Sequence, residues 1–277
     1  MSECTHDCST CGSKGSCSSP DKKDDSFLAK ENPRSKVKKV IAVMSGKGGV
    51  GKSLVTELLA VAAAKRGLKT AVLDADITGP SIPMAFGVTE RALADEDGNI
   101  LPPRSSCGIP IMSLNLVIDN PKDPVVWRGP ILAGVVKQFW TDVAWGDVDI
   151  MFVDMPPGTG DVPITVFQSL HVNGAVVVTT PQDLVSMIVE KAVRLAGMMN
   201  IPVLGLVENM ASFTCPDCGK THRIFGKGEA EDIAAVHGID AVASLPIDPG
   251  MAALVDGGKI ESADISVLEP LLDALVK

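Results

Sequence analysis

Apolar residues in this chain cluster into short continuous runs with longer mixed stretches between them. The clearest runs lie at residues 37–44, 69–76, 147–154, 174–180, 202–209 and 241–246. Each has strand length and is rich in Val, Ile, Leu and Ala. None shows the strict alternation of a half-exposed strand, so each predicts a strand covered on both faces. Between them, residues 54–64, 184–199 and 228–237 read as helices. Another helix opens at Trp127-Arg128-Gly129-Pro130 and runs to about 143, with Pro130 suited to a first turn. Residues 109–116 predict a further strand, 87–108 a surface excursion, and 262–277 a last helix. Strands alternating with helices specify an α/β domain: a doubly wound, mostly parallel sheet with helices on both faces. No internal repeat is visible.

The first 36 residues break this pattern. Residues 1–25 are rich in Ser, Gly, Asp, Lys and Cys and have almost no large apolar side chains. Such a stretch cannot bury enough surface to fold alone. The expected organisation is therefore a flexible tail over 1–36 and one domain over 37–277. The hydrophobic share of 45% and charged share of 21% are ordinary for a globular chain. The net charge of −9 argues against nucleic-acid and anionic-membrane partners. No apolar run approaches the about 20 residues of a membrane span. The polar N-terminus lacks the apolar core of a signal peptide, so a cytoplasmic location is expected. In that reducing compartment, seven cysteines fit metal ligands or thiols better than disulfides.

The first chemistry-bearing stretch is Gly46-Lys47-Gly48-Gly49-Val50-Gly51-Lys52-Ser53. It follows a predicted strand and precedes a predicted helix, the context a phosphate-binding P-loop requires. Glycines let successive N–H groups converge on phosphate oxygens, and the helix start adds partial positive charge. Lys52 is expected on the β- and γ-phosphates of ATP, and the Ser53 hydroxyl on Mg2+. Lys47 is a second lysine in a loop that needs one. It is either a solvated charge or a group that reaches a nucleotide held by a second subunit.

Asp76, Asp154, Gly158 and Asn209 also fall at C-terminal strand ends, where open α/β sheets bind ligands. Asp154 ends an apolar strand, as a Mg2+-site carboxylate should. Asp74 and Asp76 both suit a solvated loop acid. Asp76, the later of the two, is the better candidate to contact Mg2+ or orient the attacking water. The Pro156-Pro157-Gly158 turn is expected to bring a glycine N–H near the γ-phosphate, where it could sense hydrolysis. Asn209 lies where the base is often read.

Two groups of cysteines form the second chemical centre. Cys215-Pro216-Asp217-Cys218 supplies two thiolates, too few for a tetrahedral site. His222 with another residue, the N-terminal cysteines, or the matching pair of a two-fold partner could complete it; a redox dithiol is the rival reading. Cys4, Cys8, Cys11 and Cys17 in the tail suffice for zinc or for a [4Fe-4S] cluster. Cys107 stands alone and reads as a packing residue.

Taken together, these motifs resemble a known family. The P-loop, Asp74-Ala75-Asp76-Ile77-Thr78-Gly79-Pro80-Ser81-Ile82-Pro83, Trp127-Arg128-Gly129-Pro130, Asp154-Met155-Pro156-Pro157-Gly158-Thr159-Gly160-Asp161, and Glu208-Asn209-Met210 followed by Cys215 and Cys218 are similar to those of the Mrp-type iron–sulfur carrier ATPases. These belong to the deviant P-loop group that includes MinD, ParA and the nitrogenase iron protein. The resemblance implies a homodimer in which Lys47 crosses the interface. It also implies a labile [4Fe-4S] cluster between two Cys-Pro-x-Cys inserts (residues 210–226), passed to apo iron–sulfur proteins under ATP control. The spacing of Cys8, Cys11 and Cys17 resembles the N-terminal cluster segment of the eukaryotic cytosolic branch, with Cys4 closer than that branch's first cysteine. A MinD/ParA-like positioning ATPase and an ATP-gated electron-transfer protein are the alternatives. The last segment is acidic and contains Pro270, unlike a lipid-binding basic helix.

Overall fold

The computed structural model describes residues 28–277 except Thr78, Pro80, residues 119–128 and 183–184, and the side chains of Val185, Ser186 and Ile188. The expectations for Cys4, Cys8, Cys11, Cys17 and Trp127-Arg128 lie outside the described residues.

Seven strands build the main sheet: β1 Val40–Met44, β2 Thr70–Asp74, β3 Ile111–Met112, β4 Ile150–Asp154, β5 Gly174–Thr179, β6 Val203–Glu208 and β7 Ala241–Ser244. Their order is β7-β6-β5-β1-β4-β2-β3. Every neighbouring pair is parallel. The helices are α1 Lys52–Lys65, α2 Ile82–Ala85, α3 Gly129–Thr141, α4 Asp161–Ser169, α5 Val185–Met198, α6 Ala230–His237, α7 Pro249–Asp256 and α8 Glu269–Val276. The doubly wound α/β class read from the apolar runs is therefore the observed one.

The continuous apolar character of the strands has a direct cause. Every residue of β1 is buried, and alternate residues serve opposite faces. Val40, Ala42 and Met44 pack in a layer with Phe139 and Trp140 of α3 and Ala192 of α5. Ile41 and Val43 pack in the other layer with Leu58 and Leu59 of α1 and Leu271 and Leu272 of α8. The helix α1 is buried almost all round, including Thr56 and Glu57.

Three boundaries differ from the expected ones. Residues 28–36 are packed against the domain. Ala29 is buried, its N–H donates to the Ser169 carbonyl at 2.9 Å, and its own carbonyl accepts from Trp140 Nε1 at 3.2 Å. Asn32 is buried and donates to the Thr141 carbonyl at 3.1 Å. Residues 147–154 do not form one strand. Gly146–Val148 pairs instead with Ser35–Val37 in a separate parallel ribbon, and the main sheet starts at Ile150. Residues 109–116 hold only the two-residue β3, followed by a 3-10 turn at Leu114–Leu116. Among the described residues, no helix is long and apolar enough to cross a membrane.

Candidate nucleotide site and cysteine hairpin

The phosphate loop connects β1 to α1. Gly51 has φ +80°, in the left-handed region that favours glycine. The start of α1 has no side-chain cap and no acidic residue in its first turn. Its first N–H groups and partial positive charge are thus left to an incoming anion. Gly48 and Gly49 are exposed at the loop's crest. These features fit a polyphosphate.

Beneath the loop lies a compact charge cluster. Lys52 Nζ is 2.7 Å from Asp154 Oδ1 and 3.4 Å from Asp76 Oδ2. Ser53 Oγ donates to Asp154 Oδ2 at 2.6 Å, and Thr56 Oγ1 donates to Asp154 Oδ1 at 2.8 Å. Sheet register sets Asp74 directly beside Asp154 on the neighbouring strand. Asp74 is buried and accepts from Ser113 Oγ at 3.0 Å and from the Asp76 N–H at 3.1 Å. Burial and then the Asp154 charge hold the Asp74 carboxyl well above the usual carboxylate range. Burial also raises Asp154, against the opposing pull of Lys52, Ser53 and Thr56. Glu57 is raised well above its ordinary value by burial first, then by Asp154 and Asp74. Its Oε2 has no hydrogen-bond partner among the described residues.

The expected residues take unequal places. Gly46, Gly48, Gly49, Val50, Gly51, Lys52 and Ser53 form the loop and helix start, with Asp76 and Asp154 at its base. Lys47 stays out of the cluster, and its Nζ donates to Gln182 Oε1 of the same chain. The Gly158 N–H is engaged by the Ser45 carbonyl at 2.9 Å. Asn209 is buried, and its Nδ2 donates to the Val50 carbonyl at 2.9 Å, so the amide braces the P-loop. Thr56 and Glu57 were not singled out in the sequence. Thr56 lies one helical turn after Lys52, a spacing that could have marked it. An acid inside an otherwise apolar helix was the available signal for Glu57.

Cys215 and Cys218 sit in a small hairpin whose strands, Phe213–Thr214 and Thr221–His222, pair antiparallel. The Cys215 N–H donates to the Lys220 carbonyl, and the Gly219 N–H donates to the Cys215 carbonyl, both at 2.9 Å. N–H groups of Cys218 and Asp217 donate to the Cys215 sulfur and, with the Cys218 side chain, hold its thiol below the usual range. Such N–H donors favour a thiolate, the form that binds metal. Cys218 and His222 are exposed. Among the described residues, no group of three or more His, Cys, Asp or Glu could hold a metal ion, so His222 does not complete a site within the hairpin. Cys107 is exposed beside Glu261, which corrects its reading as a packing residue.

The family model ParA, described as NUBPL iron-transfer P-loop NTPase, matches residues 36–275. The chain belongs to that family. A curated iron-sulfur cluster carrier protein from Clostridium perfringens is 43% identical over 92% of this chain and 93% of its own length. Another protein of that name, from Methanocaldococcus jannaschii, is 42% identical over 90% of this chain and 86% of its own. Among solved structures, a nucleotide-binding protein from Archaeoglobus fulgidus in complex with ADP superposes with a TM-score of 0.75. It is 42% identical, and the match covers 84% of this chain and 91% of that one.

Proposed function

We propose that this chain is an ATP-dependent iron–sulfur cluster carrier acting in the cytoplasm. Its cargo is a labile [4Fe-4S] cluster held between the Cys215/Cys218 pairs of two subunits of a homodimer. The acceptors are apo iron–sulfur proteins, with no nucleic acid or membrane partner. The observation that carries this reading is a pair of cysteines on a small surface hairpin, Cys215 held toward the thiolate by backbone N–H donors, short of a third ligand among the described residues, in a chain with a complete P-loop. A second copy supplies two more thiolates, making four, the number a cluster needs. Exposed Ile224 and Phe225 next to the hairpin support an apolar contact there.

In the nucleotide half, the loop N–H groups and Lys52 bind the phosphates of ATP, and Ser53 with Asp154 would hold Mg2+. When bound, Mg2+ neutralises charge on the phosphates. Asp76, at the loop edge, orients the attacking water. Lys47 leaves Gln182 to reach the nucleotide of the partner subunit. A second cluster or zinc on Cys4, Cys8, Cys11 and Cys17 belongs to the same reading.

The test is iron, sulfide and zinc analysis of the anaerobically reconstituted full chain, followed by transfer to an apo acceptor with and without ATP. The same assays use Cys215→Ala, Cys218→Ala and a chain lacking residues 1–27. Expected is a labile cluster absent from both cysteine variants and present without the tail. A labile cluster retained in Cys215→Ala and Cys218→Ala overturns the proposal.

A further inference from the structure

β6 runs directly from the sheet into the segment that carries the cysteine hairpin, and the junction is unusually constrained. The Asn209 N–H donates to the Thr179 carbonyl at 2.8 Å, which holds its backbone to the end of β5. Its side chain is tied at both ends. Nδ2 donates to the Val50 carbonyl at 2.9 Å, and Oδ1 accepts from the Met210 N–H at 2.9 Å. The contact with the P-loop is so close that a Cβ on Gly51 would lie 2.1 Å from Asn209 Nδ2.

Met210 has φ +60° and is one of two non-glycine residues with positive φ among the described residues. That conformation costs free energy and persists only where surrounding contacts enforce it. Beyond it, the Ala211 N–H donates to the Leu245 carbonyl at 2.9 Å, and the Ile247 N–H donates to the Ser212 carbonyl at 2.7 Å. Phe213, the first hairpin residue, then bridges to Ile247. From Val50 to Cys215 the path is thus a short series of hydrogen bonds with one strained residue in the middle.

We infer that Asn209 is a positioning residue that links the P-loop backbone to the Cys215/Cys218 hairpin, so that nucleotide occupancy alters the setting of the two thiols. Phosphate draws the loop N–H groups toward itself, and the Val50 carbonyl moves with the loop. A short amide held at both ends cannot follow without shifting the Met210 N–H. Met210 has a lower-energy backbone region to relax into, and the hairpin lies directly after it. The inference rests on the function proposed above only for what the thiols carry; the linkage itself needs the nucleotide and the hairpin alone.

The experiment uses the metal-free full chain. N-ethylmaleimide labels it with and without Mg2+ and ADP or a non-hydrolysable ATP analogue, and peptide mapping reads the rate at each cysteine. Cys107, on the loop before β3 at the opposite end of the sheet, is the internal reference. In the wild type, nucleotide should change the Cys215 and Cys218 rates about fivefold or more, in the range of ordinary site-to-site coupling, with Cys107 constant. In Asn209→Ala, compared at stoichiometric bound nucleotide, that change disappears. Asn209→Asp keeps the size but sets an acceptor against the Val50 carbonyl; it should lose the change as well, and it carries the test if the Ala variant fails to fold. Thiol rates that respond to nucleotide equally in wild type and folded variants overturn the inference, as does a wild type with no response. A cluster absent from Cys215 and Cys218 while the coupling holds would sink the carrier reading and leave this one standing. Iron bound with unresponsive thiols would do the reverse.

Discussion

The nucleotide site and the cysteine hairpin are built on opposite plans. The first lies on buried strands, with Lys52, Asp154, Asp74 and Glu57 all but inaccessible and held by sheet register and an apolar helix. The second stands on two-residue strands with mostly exposed side chains, one half-buried thiol and one exposed thiol. A site that must hold like charges at close range needs a rigid, dry scaffold, because burial strengthens both attraction and repulsion. A site that releases its cargo needs access and replaceable ligands. The contrast predicts that changes below the P-loop register in stability and nucleotide binding together, whereas changes in the hairpin register in metal binding alone.

The largest expected effect comes from Lys52→Ala. It leaves the buried Asp154 carboxylate without its cation, a loss of about 3 kcal/mol or more in stability. Isothermal titration should show nucleotide binding weakened by about 100-fold, while the hairpin thiols still take iron. Comparable calorimetric stability to the wild type would break the contrast.

Gly51→Ala comes next. Its φ of +80° costs a non-glycine residue about 1–2 kcal/mol, and the added methyl meets Asn209. Denaturant titration should register at least that loss.

Glu57→Gln tests the buried acid through pH. The folded-state pKa of Glu57 lies well above its ordinary value of 4.5, so between those two values the folded chain holds a proton that the unfolded chain has released. Stability contributed by Glu57 is therefore full below pH 4.5 and falls as pH rises through that window. The slope is up to about 1.4 kcal/mol per pH unit for one group. The Gln variant, neutral throughout, should flatten the curve above pH 4.5 in urea unfolding. An unchanged slope would mean that Glu57 titrates as an ordinary carboxyl.

Cys215→Ser should cost about 0.5 kcal/mol or less in stability, the usual result for a surface position, yet abolish hairpin-bound iron. Cys107→Ser is the smallest change of all: iron content, nucleotide binding and unfolding midpoint should match the wild type.

Much of this architecture was legible in the chain itself. Continuous apolar runs predicted parallel strands buried on both faces, and glycine spacing between a strand and a helix predicted the phosphate loop. Both signals are local, and local patterns survive without knowledge of the fold. The P-loop, Asp76 and Asp154 were found because strand ends in an open α/β sheet converge on one edge.

Other features depended on distance in space. That residues 28–36 belong to the domain follows from Trp140 and Ser169, more than 100 positions away, reaching Ala29. Asp74 looked like its neighbour Asp76 in sequence; only the register of β2 against β4 buries one and leaves the other at the loop edge. Nothing in the sequence near Asn209 shows that the end of β6 presses its amide onto Val50 and Gly51. Residue type and spacing thus determined the chemistry available to this chain. Tertiary packing decided which groups are desolvated, which are paired and which are left facing solvent, because burial and partner choice are set by whatever the fold brings alongside.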